Sequence, residues 1–220
     1  MTEPVPLRRP NPAPVRPEDG PQNVSQEPGV IPGTDIIAPY TASLGGVVTI
    51  LNMARTQLGY DELASGYSKY GAWYAKAIAH DSAFIDADWC DMTQAWIAAQ
   101  SGLAATVGQF AYCPWHAQWF YDHGRWGHTP HPGDLVFYNW AGHLAIPNCE
   151  HVGIVEAVAA NGYLTTIEGN TSTGGALTGV RRRVRNPAGV VVGYGTPAYT
   201  APVPAVVPDP DLYAVVSAGA

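Results

Sequence analysis

The sequence contains no hydrophobic run long enough to cross a membrane, so insertion into one is not expected. Its first ten residues, Met-Thr-Glu-Pro-Val-Pro-Leu-Arg-Arg-Pro, hold no apolar stretch of the kind a secretory signal needs. Positive charge is scarce: 11 Lys and Arg stand against 18 Asp and Glu, a formal net charge of −7. That balance disfavours nucleic acid as a partner. An anionic polymer would have to be gripped by local contacts and not by overall attraction. There are only three cysteines, an odd number, so at least one thiol stays outside any internal disulfide. No internal repeat is present.

What the sequence does have is aromatic and proline-rich. Seven Trp and twelve Tyr suit either an ordinary core or a groove that grips a sugar or peptide chain. Ten of the twenty prolines fall within residues 1–40, which are read as a disordered tail. Residues 200–220, with Pro202, Pro204, Pro208 and Pro210, are read as a second tail. The composition shift between them marks one domain over residues 43–199.

The first half of that domain reads as helices. Val47, Ile50, Leu51, Ala54 and Leu58 form a stripe closed by Gly59. A short helix is expected over residues 72–79, and another from Pro114, a favoured first helical residue, to about Gly124. Between them, Met92, Ala95, Trp96 and Ala99 recur at helical spacing, with Asp88 as the expected N-cap and Ser101-Gly102 as the stop.

The second half reads as strands. Pro132-Gly133-Asp134 is a turn before a short apolar run over residues 135–138. Residues 151–158 make a strand, Asn161-Gly162 a tight connection, and residues 163–168 the returning strand of a hairpin. Residues 180–185 and 190–194 complete an antiparallel sheet. The alternation in Arg181-Arg182-Arg183-Val184-Arg185 suggests a strand with one solvated face. Helices first and strands afterwards imply an α+β domain with N-terminal helices packed on one sheet.

Three or four of these residues can make a nucleophilic site. Cys90 falls in the first turn of its helix, where free N–H groups and the macrodipole favour a thiolate. A cysteine nucleophile needs a base, and the base needs a group to orient it. His151 opens one strand of the hairpin and Glu168-Gly169-Asn170 closes the other. Neighbouring strands lie about 5 Å apart, so Glu168 or Asn170 can stand behind the His151 imidazole. Being two residues apart on a strand, Glu168 and Asn170 are expected on one face.

At these residues the sequence resembles the CHAP domain, the cysteine- and histidine-dependent amidohydrolase/peptidase of bacteriophage endolysins and bacterial wall hydrolases. The resemblance is carried by Trp89-Cys90 before a helix, Pro132-Gly-Asp-Leu-Val-Phe-Tyr138, His151-Val-Gly-Ile-Val155 and Glu168-Gly-Asn170, in that order. It extends over roughly residues 45–199, with flanks in residues 54–71 and 193–199. It implies a papain-like or NlpC-like fold, with Cys90 as nucleophile, His151 as base, and Glu168 and Asn170 as orienting groups. The implied substrate is bacterial peptidoglycan, cut at an amide of the stem peptide or cross-bridge, by an amidase or an endopeptidase. No cofactor or metal is implied. The expected setting is a phage endolysin, held in the host cytoplasm until lysis or carried on the virion.

Other readings of the same residues stay open. Cys113, His116, Cys149 and His151 include two Cys and two His, a zinc-type set, which would make a zinc hydrolase. Cys113 and Cys149 can alternatively pair as a disulfide or remain ordinary buried thiols. Asp86, Asp88 and Asp91 do not match a calcium loop and are read as helix-capping and dipole-complementing acids. Trp89, Trp115, Tyr138 and Trp140 are candidate groove walls as well as candidate core. His116, His123, His128, His131 and His143 are read as surface or core histidines. A wall-binding or virion structural module without activity is the non-enzymatic alternative.

Overall fold

The computed structural model describes residues 37–172 and 174–199 of the chain, with side chains from residue 45 onward. The two expected tails lie almost wholly outside the described residues. Helix α1 spans Ile37–Thr56, so it begins inside the stretch read as tail. Gly59, at φ +90°, makes the turn that ends this region, a conformation L-residues disfavour. Helix α2 (Lys69–Tyr74) runs straight into a π-helical turn over Ala75–Ala79. Helices α3 (Cys90–Gln100), α4 (Ala104–Val107) and α5 (Cys113–Asp122) follow.

The second half of the chain supplies the strands: β1 (Trp126–Gly127), β2 (Leu135–Tyr138), β3 (His151–Val158), β4 (Leu164–Ser172), β5 (Thr178–Arg185) and β6 (Val191–Gly195). They form one antiparallel sheet in the order β1-β6-β2-β3-β4-β5. The architecture is α+β, with helices packed on the sheet. The short β1 and α4 carry too few periodic residues to be read from the sequence.

Helix α3 is the centre of the packing. Every residue from Cys90 to Ala98 is buried, so the helix is enclosed on all sides and is not amphipathic. Its approach to the sheet depends on glycine. A Cβ on Gly169 of β4 would sit 2.1 Å from Thr93 Oγ1 and 2.7 Å from Thr93 Cβ. The absence of a side chain at Gly169 therefore lets α3 lie directly against β4, which carries Cys90 toward the strand ends.

Trp89 fixes the start of the helix. Its ring is fully buried, stacked on Tyr70 at 5.2 Å and edge-on to Tyr60 at 5.8 Å. Its Nε1–H donates to Glu62 Oε2 at 3.1 Å, and the other carboxylate oxygen of Glu62 accepts from the Thr178 backbone N–H at 2.9 Å. Trp89 is the N-cap residue, without a side-chain cap. Asp88 does not cap α3; its Oδ1 accepts from Asn170 Nδ2 at 3.1 Å. The helix is held by aromatic packing at its entry instead.

Candidate active site

The first turn of α3 meets β3 and β4 at a buried cluster. Cys90 is the first residue of α3, only 6 % exposed, with the orphan N–H groups of the helix end around it. His151 is the first residue of β3 and is also buried. Its Nε2 lies 3.1 Å from Glu168 Oε2 on β4. Donation of the Nε2 proton to that carboxylate leaves Nδ1 as the ring nitrogen for the Cys90 sulfur.

Gly153 makes the histidine–carboxylate contact possible. A Cβ there would come within 2.6 Å of Glu168 Cγ. The glycine in His151-Val152-Gly153 thus leaves room for the Glu168 side chain to lie across β3. Glu168 itself is fully buried. Its Oε1 accepts from Thr166 Oγ1 at 2.7 Å and from Arg185 Nε at 2.9 Å, and a second guanidinium nitrogen of Arg185 bonds Oε2.

These contacts set the charges. Burial opposes ionisation of Glu168, but the Arg185 and His151 hydrogen bonds outweigh it and hold the carboxyl near 2. Burial likewise opposes a charged His151, yet its interactions with Cys90 and Glu168 push it up to about 9. The Cys90 thiol is pushed down to about 6, first by a hydrogen bond from Cys113 and then, against the cost of burial, by His151. The arrangement favours a thiolate facing an imidazolium, which is the ionisation state of an activated cysteine nucleophile.

Asn170 is placed differently. The register of β4 on β5 shifts between Glu168 and Thr171, and Asn170 has φ +53°. This bulge breaks the alternation that would put Glu168 and Asn170 on one face. Asn170 Nδ2 donates to Asp88, and its Oδ1 accepts from Thr178 Oγ1 at 2.9 Å. The residue ties the loop before α3 to β5.

Two partners in this cluster escape a reading of the sequence. Arg185 belongs to the basic run, which does have one solvated face, with Arg182 and Val184 exposed and Arg181, Arg183 and Arg185 half-buried on the other. Arg181 pairs with Asp61, Arg182 with Glu156 and Arg185 with Glu168, while Val184 is 71 % exposed. The signal available was the period of the run itself, since Arg181, Arg183 and Arg185 share a face opposite to Val184. The other is Cys113, whose Sγ lies 3.6 Å from Cys90 Sγ. Nothing in the sequence indicates that these two thiols meet.

The alternative constellations are not assembled. His116 has both ring nitrogens engaged, Nδ1 with Asp91 Oδ1 at 2.7 Å and Nε2 with the Val107 carbonyl at 2.7 Å. Neither is left for a zinc ion. Among the described residues no group of three or more His, Cys, Asp and Glu is arranged to hold a metal. All three cysteines are free, and the sulfur neighbour of Cys113 is Cys90. Of the candidate groove walls, Trp89 and Tyr138 are core. Trp140 is 45 % exposed, stacked on Tyr138 at 4.8 Å, with its ring 5.8 Å from that of His151. Among the described residues no helix is long and apolar enough to cross a membrane.

No curated protein and no solved structure gives a significant match. Residues 64–170 match the family model of the CHAP domain, an interval that contains Cys90, Cys113, His151, Glu168 and Asn170 and stops short of Arg185. Over residues 64–170 the chain is thus similar to the CHAP domain, a cysteine- and histidine-dependent amidohydrolase/peptidase unit.

Proposed function

We propose that the chain cleaves an amide bond in the stem peptide or cross-bridge of bacterial peptidoglycan, with Cys90 as nucleophile and His151 as general acid and base. The observation that carries this reading is the buried convergence of Cys90, His151 and Glu168, in which the histidine is bonded to a carboxylate at 3.1 Å. An endolysin is the setting we propose for it, acting on the wall once the membrane is breached.

The Cys90 thiolate attacks the amide carbonyl carbon and a C–S bond forms. Charge moves to the carbonyl oxygen, where the Cys90 backbone N–H, free at the helix start, donates to it. The intermediate collapses, the C–N bond breaks, and the His151 imidazolium gives its proton to the departing amine. Water then attacks the thioester carbonyl while neutral His151 takes the water's proton. The C–S bond breaks, the carboxylic product leaves, and the thiolate–imidazolium pair is restored. Glu168 touches no reacting atom. It holds the imidazole in place and stabilises its charge, and Arg185 holds Glu168.

Purified Gram-positive walls should lose turbidity and gain free amino groups when treated with the protein. Mass spectrometry of the fragments identifies the bond: a new alanine N-terminus on the stem marks an amidase, and one within the peptide or bridge marks an endopeptidase. Iodoacetamide should abolish the reaction and a zinc chelator should not. The reverse pattern, or wall binding without bond cleavage, would remove this reading.

A further inference from the structure

The proposed chemistry leaves Cys113 without a task, although no side chain lies in a more particular position. Cys113 opens α5 just as Cys90 opens α3, so two helix starts place two buried sulfurs 3.6 Å apart. A second contact fixes that separation. Asp91 and His116, next along α3 and one turn along α5, are hydrogen-bonded at 2.7 Å and fully buried. His116 is in turn stacked on Phe110 and Phe120. The spacing of the two sulfurs is therefore built into the helix packing.

Two thiols at this distance in a buried site cannot both ionise, because two negative charges so close repel strongly. One keeps its proton and donates it. The surroundings decide which. His151 of β3 faces Cys90, backed by Glu168 of β4 and Arg185 of β5. Cys113 is influenced by Asp91 of α3 and by Cys149 of the turn before β3, both of which disfavour a second negative charge. Asp91 acts against ionisation at Cys90 too, and it is itself bonded to His116 of α5. Among the described residues that act on the two thiols, the cation His151 acts on Cys90.

We propose that Cys113 is a positioning residue for the nucleophile: its S–H donates to the Cys90 thiolate, orienting that sulfur and stabilising its charge. The proposal rests on the reading of Cys90 as nucleophile. The proton affinities agree with it, since the hydrogen bond from Cys113 is the largest influence lowering the Cys90 thiol, and the same bond pushes the Cys113 thiol well above its ordinary range. A hydrogen bond to a charged group is worth enough to move a titration by about one pH unit.

The test is the rate of Cys90 alkylation by iodoacetamide against pH, read at the Cys90 peptide by mass spectrometry, with a phosphine reductant present to keep all thiols reduced. The wild type is compared with Cys113→Val, which keeps volume and loses the donor, and Cys113→Ser, which restores a donor. Cys113→Ala serves as a second donor-less variant should valine not fit. The expected result is an apparent Cys90 titration raised by about one pH unit in Cys113→Val, and so a rate about tenfold lower on the acid side, with Cys113→Ser returning toward wild type. Identical profiles in all variants would reduce Cys113 to packing and overturn the proposal. Wall hydrolysis by Cys90→Ala is measured alongside. A shifted alkylation profile together with full activity of Cys90→Ala would instead overturn the nucleophile reading, and the positioning role with it.

Discussion

Glu168 Oε2 stands 3.1 Å from His151 Nε2, while the same carboxylate is gripped by the guanidinium of Arg185. The carboxylate therefore shares its charge between a fixed cation and a titrating one. Cys90 ionises above about 6 and His151 keeps its proton up to about 9, so the charged pair occupies the interval between. A bell-shaped kcat/KM profile with limbs near those values is expected. Glu168→Gln removes the carboxylate charge, so His151 loses its proton at a lower pH. The alkaline limb should move down by about one unit. A limb unmoved in Glu168→Gln would show that the carboxylate does not act on the histidine.

Arg185 offers a separate test through stability. Arg185→Met leaves Glu168 buried with two of its four side-chain hydrogen bonds gone, and breaking a buried pair on one side costs about 3 kcal/mol. Urea unfolding should report a loss of that order. A loss below about 0.5 kcal/mol would place the pair among those surface contacts that contribute little.

Asn170 should behave unlike Glu168. Its amide bonds Asp88 and Thr178, and it sits at φ +53° in the β4 bulge. Asn170→Ala should lower kcat/KM by loosening the loop before α3, with the alkaline limb left in place. A limb shifted as far as in Glu168→Gln would reverse the two roles.

The contact of α3 with β4 makes a steric prediction. Gly169→Ala places a Cβ 2.1 Å from Thr93 Oγ1, and overpacking of this kind costs about 2 kcal/mol. Thr93→Ala removes the Oγ1 and Cγ2 atoms but not the Cβ. The double variant should therefore recover part of the loss. Simple additivity of the two single losses would argue against direct contact.

Much of this arrangement was legible in the sequence because it is written locally. Helical spacing after Cys90, the Asn161-Gly162 turn and the order of helices before strands gave the α+β class. The residues missed depend on long-range placement. The alternation of the basic run shows that β5 has one solvated face but not that Arg185, opposite Leu164 on β4, reaches along the other face to Glu168. The Asp88 cap failed because a buried Trp89 supplied the anchoring that a cap otherwise provides. The bulge at Asn170 is invisible to strand alternation, since one extra residue resets the faces. Cys113 and Cys90 meet because the first turns of α5 and α3 converge, which no local pattern encodes.

The most direct test of the account is the release of free amino groups from purified Gram-positive walls by Cys90→Ala, set against the wild type at pH 7.5 with folding verified by thermal melting. The account predicts a folded protein whose rate falls to background, because the residue that forms the covalent bond is gone. Retention of more than a few per cent of the wild-type rate by folded Cys90→Ala would contradict it.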